Sequence, residues 1–361
     1  MHILFVTRKY PPSTGGMENA AFELHQALSA ENDVTLVKWG GSNLVLPFVY
    51  TWMFLQALWF GWTDRPDVIY LQDGIMASMG WLLKGLLRRP TLLTIHGREA
   101  TYGLFLYKLM VTPFIPRQSQ LVAVSKETKT MVEKALPGTH PLLIHNGLRD
   151  GFYSPRPRLD HLKVIARETN VPLDELTRSK LLHTNGRLVR RKGVLWFVEN
   201  VLPKLVKAKS PVLYFVTGEG RDRQAIEAAA ARLGLEAHVL LLGRASDELR
   251  DALYNAANIF VMPNVHVPND MEGFGLVALE AASCGTMVVA SKLEGIQDAI
   301  IDKQNGLLLK PGDAAACVRT IKRELKKRSI PATKVRAYTL EHYSWSKTAW
   351  QYEVLMRKLV R

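Results

Sequence analysis

Along the chain, short runs of apolar and β-branched residues alternate with stretches in which apolar residues return every three or four positions. Unbroken apolar runs bounded by turn residues read as strands buried on both faces, and the three-to-four spacing reads as helices with one apolar side. In the first half the strand-like runs are HILFVT, DVTLVKW, DVIYLQ, TLLTIH, QLVAVS and PLLIHN. The second half supplies KLLHTNG, VLYFVTG, HVLLLG, NIFVMP, TMVVAS and NGLLLK. Strands separated throughout by helices predict α/β parallel sheets made of βαβ units, and the rhythm restarts after the polar, Pro-containing stretch RDGFYSPRPRLDHLK. Two similar doubly wound domains in tandem are therefore expected, 1–155 and 156–340. The last helix, WSKTAWQYEVLMRKLV within 341–361, is expected to pack back across the boundary. Ligands of such folds bind at the carboxyl ends of strands, which points to a cleft between the two domains.

One stretch departs from this rhythm. From Gly40 to Thr63 there is no charged residue, and the apolar, aromatic run at 44–62 has the look of a membrane span. Pro47, Thr51 and Gln56 interrupt it, and it lies between VTLVKW and DVIYLQ, where parallel pairing demands a crossover helix. It is read as that crossover. Its Trp and Phe content keeps a contact with a bilayer interface as the alternative.

The length of 361 residues suits two domains, and a 47% hydrophobic content leaves ample material for two cores. Cys284 and Cys317 make neither a disulfide framework nor a metal cluster, which favours a reducing compartment. MHILFVT lacks the basic lead and cleavage site of a signal peptide, so a cytoplasmic protein is expected. The net charge of +14 divides unevenly: residues 1–150 carry 14 Lys/Arg against 11 Asp/Glu, residues 151–361 carry 33 against 22. Much of the second excess lies in RTIKRELKKRSIPATKVR, a solvated basic helix or a contact for anionic headgroups. Nucleic acid is not an expected partner, because no zinc knuckle, RNP-like strand or basic zipper accompanies the charge.

Three segments carry candidate chemistry. After the first strand, RKYPPSTGGMENAAFEL sets Gly15 and Gly16 at a helix entrance, where amides attract an anion. The spacing is not GxGxxG, so no dinucleotide fingerprint is read. GRLVRRKG places Arg187 and Lys192 five apart just beyond a strand, a pairing that suits a diphosphate or a plain solvated turn. In EGFGLVALE, Glu272 and Glu280 are eight apart; on one helix they would be displaced by about 12 Å, too far for a glycosidase pair. If the helix starts near Phe274, Glu272 precedes it and Glu280 lies inside, as if one ligand were touched at two points.

This E-x7-E, with GFG and EAASCG, resembles the signature of the GT4 family of retaining nucleotide-sugar glycosyltransferases. YPPSTGGME, LLTIHG, HNG, GRLVRRKG, FVMPN and NGLLLKPGD fit the family in order and spacing across nearly the whole chain. The resemblance implies a GT-B fold of two facing Rossmann-like domains around a cleft. It assigns the diphosphate to Arg187 and Lys192, the ribose hydroxyls to Glu280, and the donor sugar to Glu272 with the amides of Gly273, Phe274 and Gly275. His96, at the end of TLLTIH, would face the sugar, and Gly15 and Gly16 would approach the diphosphate. No metal and no cofactor is implied, since the cations would neutralise the leaving group, and the sequence shows no DxD-like motif beside a strand.

The chain departs from the family pattern in the loop EGIQD, with Glu294 where the pattern reads glycine and Asp298 for its acid. The base is assigned to GRASDEL, where Ser246 and Asp247 are the candidate contacts; Asp247 could accept from guanine N1–H, which favours GDP over UDP. The resemblance further implies transfer of a mannose-like hexose to a glycan or lipid-linked acceptor, in cell-surface polysaccharide or glycolipid synthesis, with a peripheral place on the inner face of a bacterial membrane. A nucleotide-sugar epimerase of related fold and a non-catalytic nucleotide- or glycan-binding module are the rival readings; the first would not be expected to carry E-x7-E, the second would lose site groups that are all present.

Overall fold

The computed structural model describes residues 1–361 except 14, 42–44, 150 and 207–210. Thr14 of YPPSTGGME and the start of the apolar stretch at 44–62 thus lie outside the described residues. The chain forms two compact units, Met1–Gly147 with Tyr343–Arg361, and Leu148–His342.

In chain order the first elements are β1 (His2–Thr7), α1 (Gly16–Ser29), β2 (Asp33–Lys38), α2 (Leu46–Thr63), β3 (Val68–Leu71), α3 (Ala77–Leu87), β4 (Thr91–Ile95), α4 (Phe105–Met110), β5 (Gln120–Ala123), α5 (Lys126–Ala135) and β6 (Leu142–Leu143). There follow α6 (Arg158–Thr169), α7 (Leu173–Arg178), β7 (Lys180–Asn185), α8 (Val194–Asn200), α9 (Leu202–Val206), β8 (Val212–Thr217), α10 (Arg223–Arg232), β9 (Val239–Gly243), α11 (Asp247–Ala256) and β10 (Ile259–Met262). The chain ends with α12 (Leu276–Ser283), β11 (Met287–Ser291), α13 (Ile296–Ala299), β12 (Leu307–Leu309), α14 (Ala314–Lys326), α15 (Ala332–His342) and α16 (Trp345–Val360).

The sheet of the first unit runs β2-β1-β3-β4-β5-β6, all parallel, with Phe5 opposite Leu36 on one side and Tyr70 on the other. Side chains alternate between its two faces. Leu4, Val6, Ile69, Leu71, Leu93 and Ile95 pack under α2 and α3 through Val49, Met53, Ala57, Met79 and Leu83. Ile3, Phe5, Val68, Tyr70, Leu92 and Val122 pack against α1 and α16. Apolar residues on both faces are what make VIYL and TLLTI unbroken in sequence. Within the uncharged stretch, Leu46–Thr63 form the crossover α2, and no helix of the described residues is long and apolar enough to span a membrane.

α16 belongs to this first unit. Its Trp345, Ala349, Tyr352, Leu355 and Met356 fill one face of the sheet, and the Tyr352 hydroxyl lies 3.0 Å from Thr94 Oγ1. Gly147 is required where Trp345 crosses it, because a Cβ there would stand 2.5 Å from the indole.

In the second unit the order is β12-β11-β10-β7-β8-β9, again parallel throughout. Counted within the unit, this is the strand order 3-2-1-4-5-6 inverted end to end, and the direction of winding reverses between β7 and β10. Leu181, Leu213 and Phe215 meet α6 and α11 on one face through Leu162, Ile165, Leu249 and Leu253.

Candidate active site

Where the winding reverses, the loops leaving two neighbouring strands part in opposite directions and open a crevice at their carboxyl ends. In the second unit these loops follow β7 and β10, and they hold residues 186–193 and 263–275. Gly193 locks them together. Its φ is +68°, and an added Cβ would lie 1.9 Å from the Pro263 carbonyl oxygen.

Into this crevice the two loops deliver opposite charges. Lys192 Nζ is 2.6 Å from Glu272 Oε2, and Arg191 Nε is 3.5 Å from the same oxygen. Asn264 Nδ2 donates to it at 3.2 Å, while Arg191 Nη1 reaches Asp270 Oδ1 at 3.2 Å. Glu272, Arg191 and Lys192 are all buried. Burial alone would push the Glu272 carboxyl up; Lys192, Arg191 and Asn264 outweigh it and hold the group below the usual carboxylate range.

Arg187, paired in the sequence with Lys192, is exposed and has no ion-pair partner among the described residues. The buried cation beside Lys192 is instead Arg191, which sequence reasoning passed over. Arg187, Arg190, Arg191 and Lys192 share one short loop, and the 3₁₀ turn Arg190–Lys192 decides which of them point inward.

α12 begins at Leu276, so Glu272 stands in the loop before it and Glu280 in its second turn. The two acids serve different surroundings. Tyr254 donates its hydroxyl proton to Glu280 Oε2 at 2.6 Å and accepts from Asn185 Nδ2 at 2.7 Å. Asn185 Oδ1 accepts in turn from Thr217 Oγ1 at 3.1 Å, and His183 Nε2 lies 3.1 Å from that hydroxyl. Burial raises the Glu280 carboxyl despite the Tyr254 hydrogen bond, and burial lowers His183 to about 3, which keeps its ring neutral. Thus one oxygen of Glu280 is already held from the core side.

The loop after β11 contributes Glu294. Its carboxylate accepts from the Glu272 backbone N–H, and His266 Nδ1 is 3.8 Å from its other oxygen. Its φ is +47°, in the left-handed region that glycine adopts without strain. That is a physical reason for glycine at this position in the family pattern and a sign that this chain holds a strained residue beside Glu272. Ser246 spends its hydroxyl on the N-terminus of α11, accepting from Leu249 N at 3.0 Å, and Asp247 is exposed and paired with Arg250 at 2.7 Å. Gly273, Phe274 and Gly275 form the approach to α12, which opens without a side-chain cap.

His96, Gly15 and Gly16 lie in the first unit. Its winding reverses between β1 and β3, and there Arg8 Nε meets Asp73 Oδ2 at 3.0 Å. His96, buried at the end of β4, has Nε2 2.8 Å from the Gln72 carbonyl oxygen and 3.2 Å from the Gln72 side-chain nitrogen. At the start of α1, the Glu18 carboxylate borders Gly15: a Cβ there would be 2.4 Å from Oε2, and Glu18 also holds Lys9 at 2.9 Å. The Glu18 carboxylate thus lies beside the loop that carries Gly15 and Gly16. Among the described residues, no group of three or more His, Cys, Asp or Glu is placed to hold a metal ion.

Residues 179–327, which carry the whole cluster of Arg191, Lys192, Glu272 and Glu280, match the family model of the group 1 glycosyl transferases. An uncharacterized glycosyltransferase of Methanocaldococcus jannaschii is 26% identical over 100% of both chains. A GDP-mannose-dependent alpha-(1-6)-phosphatidylinositol monomannoside mannosyltransferase of Mycolicibacterium smegmatis is 22% identical over 95% of both. Among solved structures, Anabaena HepE in complex with UDP superposes with a TM-score of 0.78 at 19% identity, over 99% of this chain and 100% of that one. The two units have the Rossmann-like parallel-sheet architecture of the GT-B glycosyltransferase structures, and residues 179–327 of the second unit are similar to the group 1 glycosyl transferases.

Proposed function

We propose that the chain is a retaining, metal-independent glycosyltransferase that moves a mannose-like hexose from a nucleoside diphosphate sugar to a glycan or lipid-linked acceptor. The observation that carries this reading is the buried Lys192–Glu272 pair at the winding reversal of the second unit, 2.6 Å between charged atoms. A pair so placed is costly to hold out of water, and it is a charged site already desolvated. A donor diphosphate draws Lys192 onto its oxygens, and exposed Arg187 swings in beside it. Glu272, still held by Arg191 and Asn264, then accepts from hydroxyls of the sugar. Glu280, steadied by Tyr254, accepts from the ribose.

In the reaction the bond between the anomeric carbon and the diphosphate oxygen breaks, and the acceptor oxygen bonds to that carbon on the same face. The acceptor proton passes to the departing phosphate, and Lys192 with Arg187 stabilises the charge that grows there. The family resemblance supports retention, and the GDP-mannose-dependent relative supports the mannose-like sugar. GDP is favoured over UDP through Asp247, whose exposed carboxylate would exchange its ion pair with Arg250 for guanine N1–H. Cell-surface polysaccharide or glycolipid synthesis is the expected setting. The test is a panel of GDP-, UDP- and ADP-sugars offered without metal to lipid-linked and soluble acceptors, with calorimetry on each donor. Transfer from one donor with the anomeric configuration kept supports the reading; a protein that binds none of the donors refutes it.

A further inference from the structure

α2 carries no charge and is apolar on most of its circumference, although only one side of it can touch the sheet. Val49, Met53 and Ala57 are buried there, while Phe48, Trp52, Leu55, Trp59 and Trp62 form a stripe at helical spacing that is 46–80% exposed. A water-facing side of a crossover helix is ordinarily polar. The same departure recurs in its neighbours. α3 exposes Trp81, Leu82 and Leu86, and α4 buries none of its residues, leaving Phe105, Leu106, Leu109 and Met110 59–77% exposed. These elements are contiguous: α2 packs beside α3, and the 3₁₀ turn Thr112–Arg117 packs against both α3 and α4. An apolar face of this extent marks an interaction surface.

Its charges say what covers it. There is no charged residue from 40 to 63, and residues 74–118 carry six Lys/Arg against one acid. Arg88, Lys108 and Arg117 are exposed, and the Arg117 guanidinium lies over the rings of Trp81 and Phe114, 5.4 and 5.2 Å from their centroids. Asp64, at the end of α2, accepts from Thr35 and Thr63. Trp and Phe beside cations suit the headgroup layer of a membrane, where the rings enter the acyl boundary and the cations meet lipid phosphates. A second copy of the chain would set this positive rim against its like.

We propose that the outer face of α2, α3 and α4 docks on the surface of an anionic lipid bilayer. It lies flat on the interface and does not span it. The proposal stands apart from the transfer reaction, so either can fail without the other.

The test is flotation of the full-length protein with vesicles of phosphatidylcholine alone and of phosphatidylcholine with about a third phosphatidylglycerol, read with tryptophan emission. Flotation with the anionic vesicles, a blue shift, and weakening by 0.5 M salt are expected. Phe105→Ser with Leu109→Ser should lower the partition coefficient at least about tenfold, and Arg88→Gln or Lys108→Gln about fivefold each. All these side chains are exposed, so an unchanged melting temperature shows that each variant folds. Wild-type protein that stays with the lipid-free fraction overturns the proposal, as does a serine variant that floats like the wild type. A lipid-free dimer that the serine substitutions dissolve also overturns it, because a second copy would then cover the face.

Discussion

Replacing Lys192 by alanine tests both the electrostatics of the crevice and its chemistry. The substitution leaves the buried Glu272 carboxylate with Arg191 at 3.5 Å and Asn264 at 3.2 Å but without its 2.6 Å partner. Breaking a buried pair costs about 3–5 kcal/mol; with those two partners retained, about 3 kcal/mol is expected. In a unit of about 200 residues that lowers Tm by some 6–12 °C near neutral pH. The pH dependence identifies the cause. In the wild type Glu272 is held below its ordinary value, so its contribution is present above the unfolded pKa and is lost as pH falls through the folded one. Without Lys192, burial prevails and the folded pKa rises. The folded variant then binds the proton more readily than the unfolded chain, and its deficit grows as pH rises above the ordinary carboxylate range. Thermal denaturation of both proteins from pH 4 to pH 8 should show curves that converge in acid and diverge toward neutrality. Lys192→Ala with Glu272→Gln should recover much of the stability, since the stranded charge is gone, while turnover stays about 10² to 10³ below wild type. A loss of Tm equal at every pH, or a Lys192→Ala enzyme of unchanged turnover, would refute the reasoning.

Tyr254→Phe removes the hydroxyl that holds Glu280 Oε2 at 2.6 Å; nucleotide affinity measured by calorimetry should fall about fivefold to tenfold, with kcat nearly unchanged. At Glu294, φ +47° predicts that Glu294→Gly is more stable than Glu294→Ala by about 1 kcal/mol in urea denaturation, because both lose the contact to Glu272 N–H and only alanine keeps the strain. An alanine variant as stable as the glycine one would show that the loop relaxes. Gly193→Ala sets a Cβ 1.9 Å from the Pro263 carbonyl, so the loops must separate; a loss of about 3 kcal/mol and of donor binding together is expected.

All twelve strands of the two sheets were legible in the sequence, because a parallel sheet covered on both faces requires unbroken apolar runs. The need for a crossover between parallel strands identified α2, and the reading that sets Glu272 before a helix and Glu280 inside it matches the start of α12 at Leu276. Tertiary structure decided the rest. Strand order is not written in any local run, so where the windings reverse, and hence that the loops of Lys192 and Glu272 meet, follows only from the assembled sheet. Arg191 rather than Arg187 turns inward because of one 3₁₀ turn, and Glu294 finds the Glu272 amide across a gap of 22 residues. Ser246 is claimed by a helix end, and Gly15 is bordered by Glu18, for equally local geometric reasons. The apolar content of α2 was plain from the chain, but which of its sides meets the sheet and which is left to the outside depends on its rotation over β1 and β2, and only packing sets that.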